Sequence, residues 1–101
     1  AIELAVEVYG LTARFPRDER FGVISQMRRA SVSISANLAE GWGRGTVAQQ
    51  RQFYRIARAS AREVDCLLEI SGRLCYAQSD VVANRLDTVQ RMLSGLIRSQ
   101  G

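Results

Sequence analysis

Residues 47 to 76 repeat apolar side chains at helical spacing for more than about five turns of 3.6 residues each, and nothing in the chain alternates with the period of two that a strand needs. Phe53, Ile56, Ala57, Ser60, Val64, Leu67, Leu68, Ser71 and Leu74 share one side of this stretch, a set that a helix gathers on one face and a strand scatters over both. A rod with one long apolar face must bury it against other rods. The chain is therefore held to an architecture of packed helices.

Its punctuation supplies the partners. Thr46 followed by Gln49 is a capping box that starts the long helix at Val47. From Ile2 to about Arg14 the apolar residues form two sets, Ile2, Ala5, Val6 and Tyr9 on one side and Leu4, Val8 and Leu11 on the other, so this helix needs two partners. Phe15-Pro16 ends it, because the residue before a proline is pushed out of the α region. Asp18 is placed to cap a second helix from about Glu19 to Trp42, stopped by Gly41, Gly43 and Gly45. Ser79 is placed to cap a fourth from Asp80 to about Ser99, with Val82, Leu86, Val89, Leu93, Leu96 and Ile97 inward. The expected helices are thus about 2–14, 19–42, 47–76 and 80–99. With short connections they make an all-α, antiparallel up-down-up-down four-helix bundle, a single domain over 1–101.

A chain of 101 residues, 47% of them hydrophobic, is long enough to bury about two-thirds of its unfolded surface. No apolar run approaches the roughly eighteen residues that span a bilayer, and no charged-then-apolar leader is visible. A cytoplasmic protein with no membrane contact is expected, with a few residues missing before Ala1. Cys66 and Cys75, read as lying in one helix about 13 Å apart along its axis, are too far apart for a disulfide and are expected to be small apolar fillers. With no His in the chain they make no zinc site. No metal or cofactor is expected.

All fourteen basic residues are Arg, which codon bias in a GC-rich genome accounts for; their position says more. Between Gly41 and Arg62 stand five Arg (Arg44, Arg51, Arg55, Arg58, Arg62) and no acid, a charge of +5, while nine Arg and ten acids leave the rest at −1. Arg51, Arg55, Arg58 and Arg62 are spaced by four, three and four, which aligns them on the side of the long helix away from its core. Such a row presents a linear positive surface, and the phosphate backbone of nucleic acid fits it. A solvated helix face is the plainer alternative.

The second helix carries a polar stripe instead. At roughly 100° per residue, Gln26, Arg29, Ser33, Asn37, Glu40 and Arg44 fall within one arc, opposite Phe21, Ile24, Ser31, Val32, Ser35, Leu38 and Ala39. Arg28, Arg29, Asn37, Glu40 and Glu63 are expected to form an internal polar network that fixes the register of the bundle, with Glu63 as the partner of Arg28 and with a buried pairing for Glu40. Catalysis would need a nucleophile beside a tuned base. Without His, only Glu40 or Glu63 offers a base, and the serines sit at packing positions, so no enzyme is expected.

Several strings resemble a known family. They are L-T-A-R-F-P at 11–16, E-R-F-G at 19–22, Q-M-R-R-A at 26–30, S-I-S-A-N-L-A-E-G-W-G-R at 33–44, I-A-R-A-S-A-R-E at 56–63 and R-M-L-S-G-L-I at 91–97. Together they are similar to the four-helix bundle proteins encoded by intervening sequences within bacterial 23S ribosomal RNA genes. Ala59 stands where many members carry Gly, which bears on local packing. The resemblance implies a bundle that assembles as a ring-like homopentamer. It also implies kinship with accessory variability determinant proteins of diversity-generating retroelements, basic pentamers that associate with a reverse transcriptase and nucleic acid. Asn37, Glu40, Gly41 and Arg44 match the family's signature string.

The two-sided first helix points independently to subunit contacts. The expected protein is a non-enzymatic homo-oligomer that binds RNA or DNA phosphate through Arg44, Arg51, Arg55, Arg58 and Arg62 without reading sequence. The alternative is a protein-interaction scaffold that touches no nucleic acid.

Overall fold

The structure, a computed structural model, describes residues 1–100. Four helices account for most of them: α1 (Ile2–Thr12), α2 (Val23–Trp42), α3 (Val47–Arg73) and α4 (Asp80–Gln100), with a single 3₁₀ turn at Arg17–Glu19 between the first two. There is no strand among the described residues, and no helix is long and apolar enough to cross a membrane. Each helix packs beside the next, α2 and α3 along most of their length, and α1 closes against both α2 and α4. Pairing runs antiparallel: Gly41 near the end of α2 meets Tyr54 near the start of α3, while Ser33 meets Ser60 further along both.

The core is one cluster fed by all four helices. Leu4, Val8, Met27, Ile34, Ala57, Ala61, Val64 and Leu93 are fully sealed from solvent within it. The caps expected for α3 and α4 are in place, Thr46 Oγ1 accepting from the Gln49 amide at 3.2 Å and Ser79 Oγ from the Val82 amide at 3.2 Å. α3 ends at Arg73, three residues early, in a turn where the Tyr76 amide donates to the Ser71 carbonyl and the Cys75 amide to the Gly72 carbonyl. Cys75 holds the left-handed position of this turn at φ 58°. The two cysteines therefore do not share a helix, and both are exposed rather than packed as fillers.

Three expectations are corrected. Asp18 does not cap α2: the Glu19 carboxylate accepts from the Tyr76 hydroxyl at 2.8 Å, which anchors the Arg17–Glu19 turn to the α3–α4 connection, and α2 starts afresh after Gly22. That hydrogen bond, and desolvation after it, hold the Tyr76 phenol above its usual range. Phe21 thereby falls outside the phase of α2 and is 86% exposed. Gly41 does not stop α2, which runs through it to Trp42. On α3, Ile56 turns outward, and Tyr54 and Ala61 take the inward positions, while Leu74 lies past the end of the helix and is exposed.

The cause is shared by the last two corrections. α2 and α3 approach through small residues: Ala30, Ser33 and Gly41 on one side, Ala57, Ser60 and Ala61 on the other. A Cβ added at Gly41 would lie 2.7 Å from the Tyr54 ring. Close backbone approach goes with small residues of α3 opposite Ala30 and Ser33, and with the Tyr54 ring packed where Gly41 has no side chain.

Candidate nucleic-acid interface

The five expected arginines divide into two groups. Arg44 is committed to the α2–α3 junction: it bonds Glu40 one turn back at 2.9 Å, its guanidinium lies 4.9 Å from the Phe53 ring centroid, and its carbonyl accepts from Gln50. Arg51 turns to the end of α4, donating to the Gln100 carbonyl, while Gln100 Nε2 donates to Gln50 Oε1 at 2.7 Å. A helix C-terminus leaves carbonyls unpaired and carries the negative end of the macrodipole, so a guanidinium there is well placed.

Arg55, Arg58 and Arg62 remain. Arg55 and Arg62 are exposed and Arg58 is half-buried. Among the described residues none of the three has an ion-pair or hydrogen-bond partner; the arginine ion pairs are those of Arg44, Arg73, Arg85 and Arg91. The three span about 10 Å along the axis, close to three phosphate-to-phosphate intervals of one strand at about 3.4 Å each along a duplex axis. Beyond Arg62 the helix carries Glu63, Asp65 and Glu69, all exposed, so its outer surface is basic in the first half and acidic in the second.

The polar stripe of α2 does not form the expected ion-pair network. Asn37 Nδ2 donates to the Ser33 carbonyl at 2.8 Å and to its Oγ at 3.0 Å, and the Ser33 and Ser60 hydroxyls meet at 2.9 Å, bridging α2 to α3. Glu40 pairs only with Arg44, and both side chains are about half exposed. Arg29 donates to Ser25 at 3.2 Å.

Arg28 and Glu63 do not meet, because they lie on opposite flanks of α2. Arg28 Nε donates to Thr12 Oγ1 at 2.9 Å and the guanidinium stacks 4.6 Å from the Tyr9 ring, both on α1. Glu63 lines an open groove of about 430 Å³ between α2 and α3 with Gln26, Arg29, Ser33 and Ser60. Thr12, the partner that sequence reasoning missed, is a polar residue in the apolar phase of α1. That placement was the available signal.

Three carboxylates, thiols or imidazoles placed to hold a metal ion do not converge among the described residues. The Ser31 and Ser71 hydroxyls donate to carbonyls of their own helices, at 2.9 and 3.1 Å, which leaves these buried serines in packing roles.

The geometry also explains the string at 33–44: Asn37 ties down Ser33, Gly41 admits Tyr54, and Glu40 steadies the Arg44 that covers Phe53. It specifies the α2–α3 seam. No curated protein matches the chain. The family described as 23S rRNA-intervening sequence protein matches residues 1–95, a span that holds all of α1, α2 and α3 and most of α4. By that match the chain belongs to the 23S rRNA-intervening sequence protein family.

Proposed function

We propose that the protein is a non-enzymatic helical scaffold that binds the nucleic-acid backbone without reading sequence, through the row Arg55, Arg58 and Arg62. The observation that carries this reading is that these three guanidiniums line up on one face of one helix with no carboxylate or carbonyl partner among the described residues; Arg14, Arg17, Arg20 and Arg98 also lack partners but form no such row. Like charges at i,i+3 and i,i+4 destabilise a helix unless something outside offsets them, and phosphate does so with bidentate geometry.

Self-association belongs to the same proposal. Ile2 and Val6 on α1 are 70% and 67% exposed, an apolar strip that a second copy would cover. A pentamer is the number that the family resemblance suggests, and several copies would multiply the field of a three-arginine row.

The test is retention of a short single-stranded oligoribonucleotide at low salt by the Arg55→Glu, Arg58→Glu double variant. Retention is expected to be lost while thermal melting is preserved. Undiminished retention overturns the proposal in favour of a scaffold that contacts only protein.

A further inference from the structure

The turn from α1 into α2 carries a second concentration of arginines, and here they stand against aromatic rings. From Ala13 to Arg29 there are five Arg and two acids. One of those acids, Glu19, is already taken by the Tyr76 hydroxyl. A cleft of about 310 Å³ opens beside this turn, lined by Tyr9, Arg20, Phe21, Ile24, Arg28 and Arg29 among others. Its lining includes three guanidiniums and no carboxylate.

The rings are poised rather than packed. Phe15 is buried and Phe53 half-buried, whereas Phe21 stands 86% exposed with the Arg20 guanidinium 5.0 Å from its centroid. Tyr9 is 45% exposed, and Arg28 covers one of its faces at 4.6 Å. Arg28 is held in place by Thr12, and Arg29 by Ser25. Arg20 has no side-chain hydrogen-bond or ion-pair partner among the described residues, so its whole fork is free. Flat apolar faces beside guanidiniums that no carboxylate neutralises suit an occupant that is planar, aromatic and anionic in one molecule. An acidic peptide would satisfy the charge and leave the rings in water.

We propose that this cleft is a nucleotide site, in which a nucleobase stacks on Phe21 and Tyr9 while Arg20 and Arg29 take its phosphate. The chemistry is the same for a free mononucleotide and for an unpaired nucleotide within a strand. The site is separate from the α3 row and stands if that row binds nothing.

The test is titration of the protein, followed by NMR of the Tyr9 and Phe21 ring protons, with AMP, adenosine and ribose 5-phosphate at low salt. AMP is expected to shift both rings and to bind more tightly than either fragment. Phe21→Ala, which removes a side chain outside the core, is expected to weaken AMP roughly tenfold, as the loss of one base–aromatic stack does. Arg20→Ala is expected to weaken AMP and leave adenosine unchanged. The Arg55→Glu, Arg58→Glu variant should bind AMP as the parent does, which separates this site from the row.

A single-stranded oligoribonucleotide that competes with AMP identifies the occupant as a nucleotide of a strand. One that leaves both rings unmoved identifies a free nucleotide. The proposal is overturned if millimolar AMP moves neither ring, if ribose 5-phosphate binds as tightly as AMP, or if Phe21→Ala keeps full AMP affinity. It is equally overturned if that variant lowers the mass in light scattering, since Phe21 would then be covered by another copy.

Discussion

The inner and outer sides of α3 belong to one helix and are finished in different ways. Inward, Tyr54, Ala57, Ser60 and Ala61 close on α2 so tightly that Gly41 has no room for a Cβ. Outward, Arg55 and Arg62 extend into solvent with Arg58 half-covered between them, and no protein group among the described residues answers their charge. The seam is complete within the chain and the row is not. The outer strip of α1 resembles the row in this respect, being apolar where the row is charged. That contrast is what the proposed partners, nucleic acid for the row and a second copy for the strip, would answer.

The largest expected effect breaks the closed side. Gly41→Val forces two methyl groups toward the Tyr54 and Phe53 side chains and should cost about 3 kcal/mol, read as a fall in Tm of more than about 10 °C for a domain of this size. Val6→Glu probes the open side: the mass in light scattering should fall while far-ultraviolet circular dichroism is unchanged, because Val6 is 67% exposed within one chain. An unchanged mass would remove α1 from any assembly.

Cys75→Gly acts on the connection that closes the chain on itself. Relieving a left-handed residue at φ 58° should stabilise by about 1 kcal/mol in denaturant melts. Glu40→Ala should cost only ~0.5 kcal/mol, because its partner Arg44 is an exposed neighbour one turn along. A loss of several kcal/mol there would mean that the seam is held by charge rather than by close packing.

Helix identity was legible because periodicity and caps are local: Thr46 and Ser79 cap as their chemistry dictates, whereas α1 ends at Thr12, ahead of the Phe15-Pro16 stop expected to end it near Arg14. The rotation of α3 was not legible. It depends on how closely two helices approach, which rests on Gly41, Ala57 and Ala61 acting together across the seam, and a pattern weighted toward large side chains overvalues Ile56. The start of α2 was obscured by Tyr76, which takes the Glu19 carboxylate from 57 residues away. In the candidate interface, the spacing of Arg51, Arg55, Arg58 and Arg62 was visible, but the diversion of Arg51 to the end of α4 was not, since it requires knowing where that helix finishes. Likewise Arg28 and Glu63 looked complementary in charge, yet the flank of α2 that each occupies separates them.

The salt dependence of affinity for a single-stranded oligoribonucleotide tests the central claim most directly. Each phosphate contact contributes about −0.7 to the slope of log affinity against log salt for a single strand. If the row makes the contacts, replacing Arg55 and Arg58 with Ala should flatten the slope by about 1.4 for each chain engaged, with no change in melting. A slope identical to that of the parent would contradict the account, whatever the affinity.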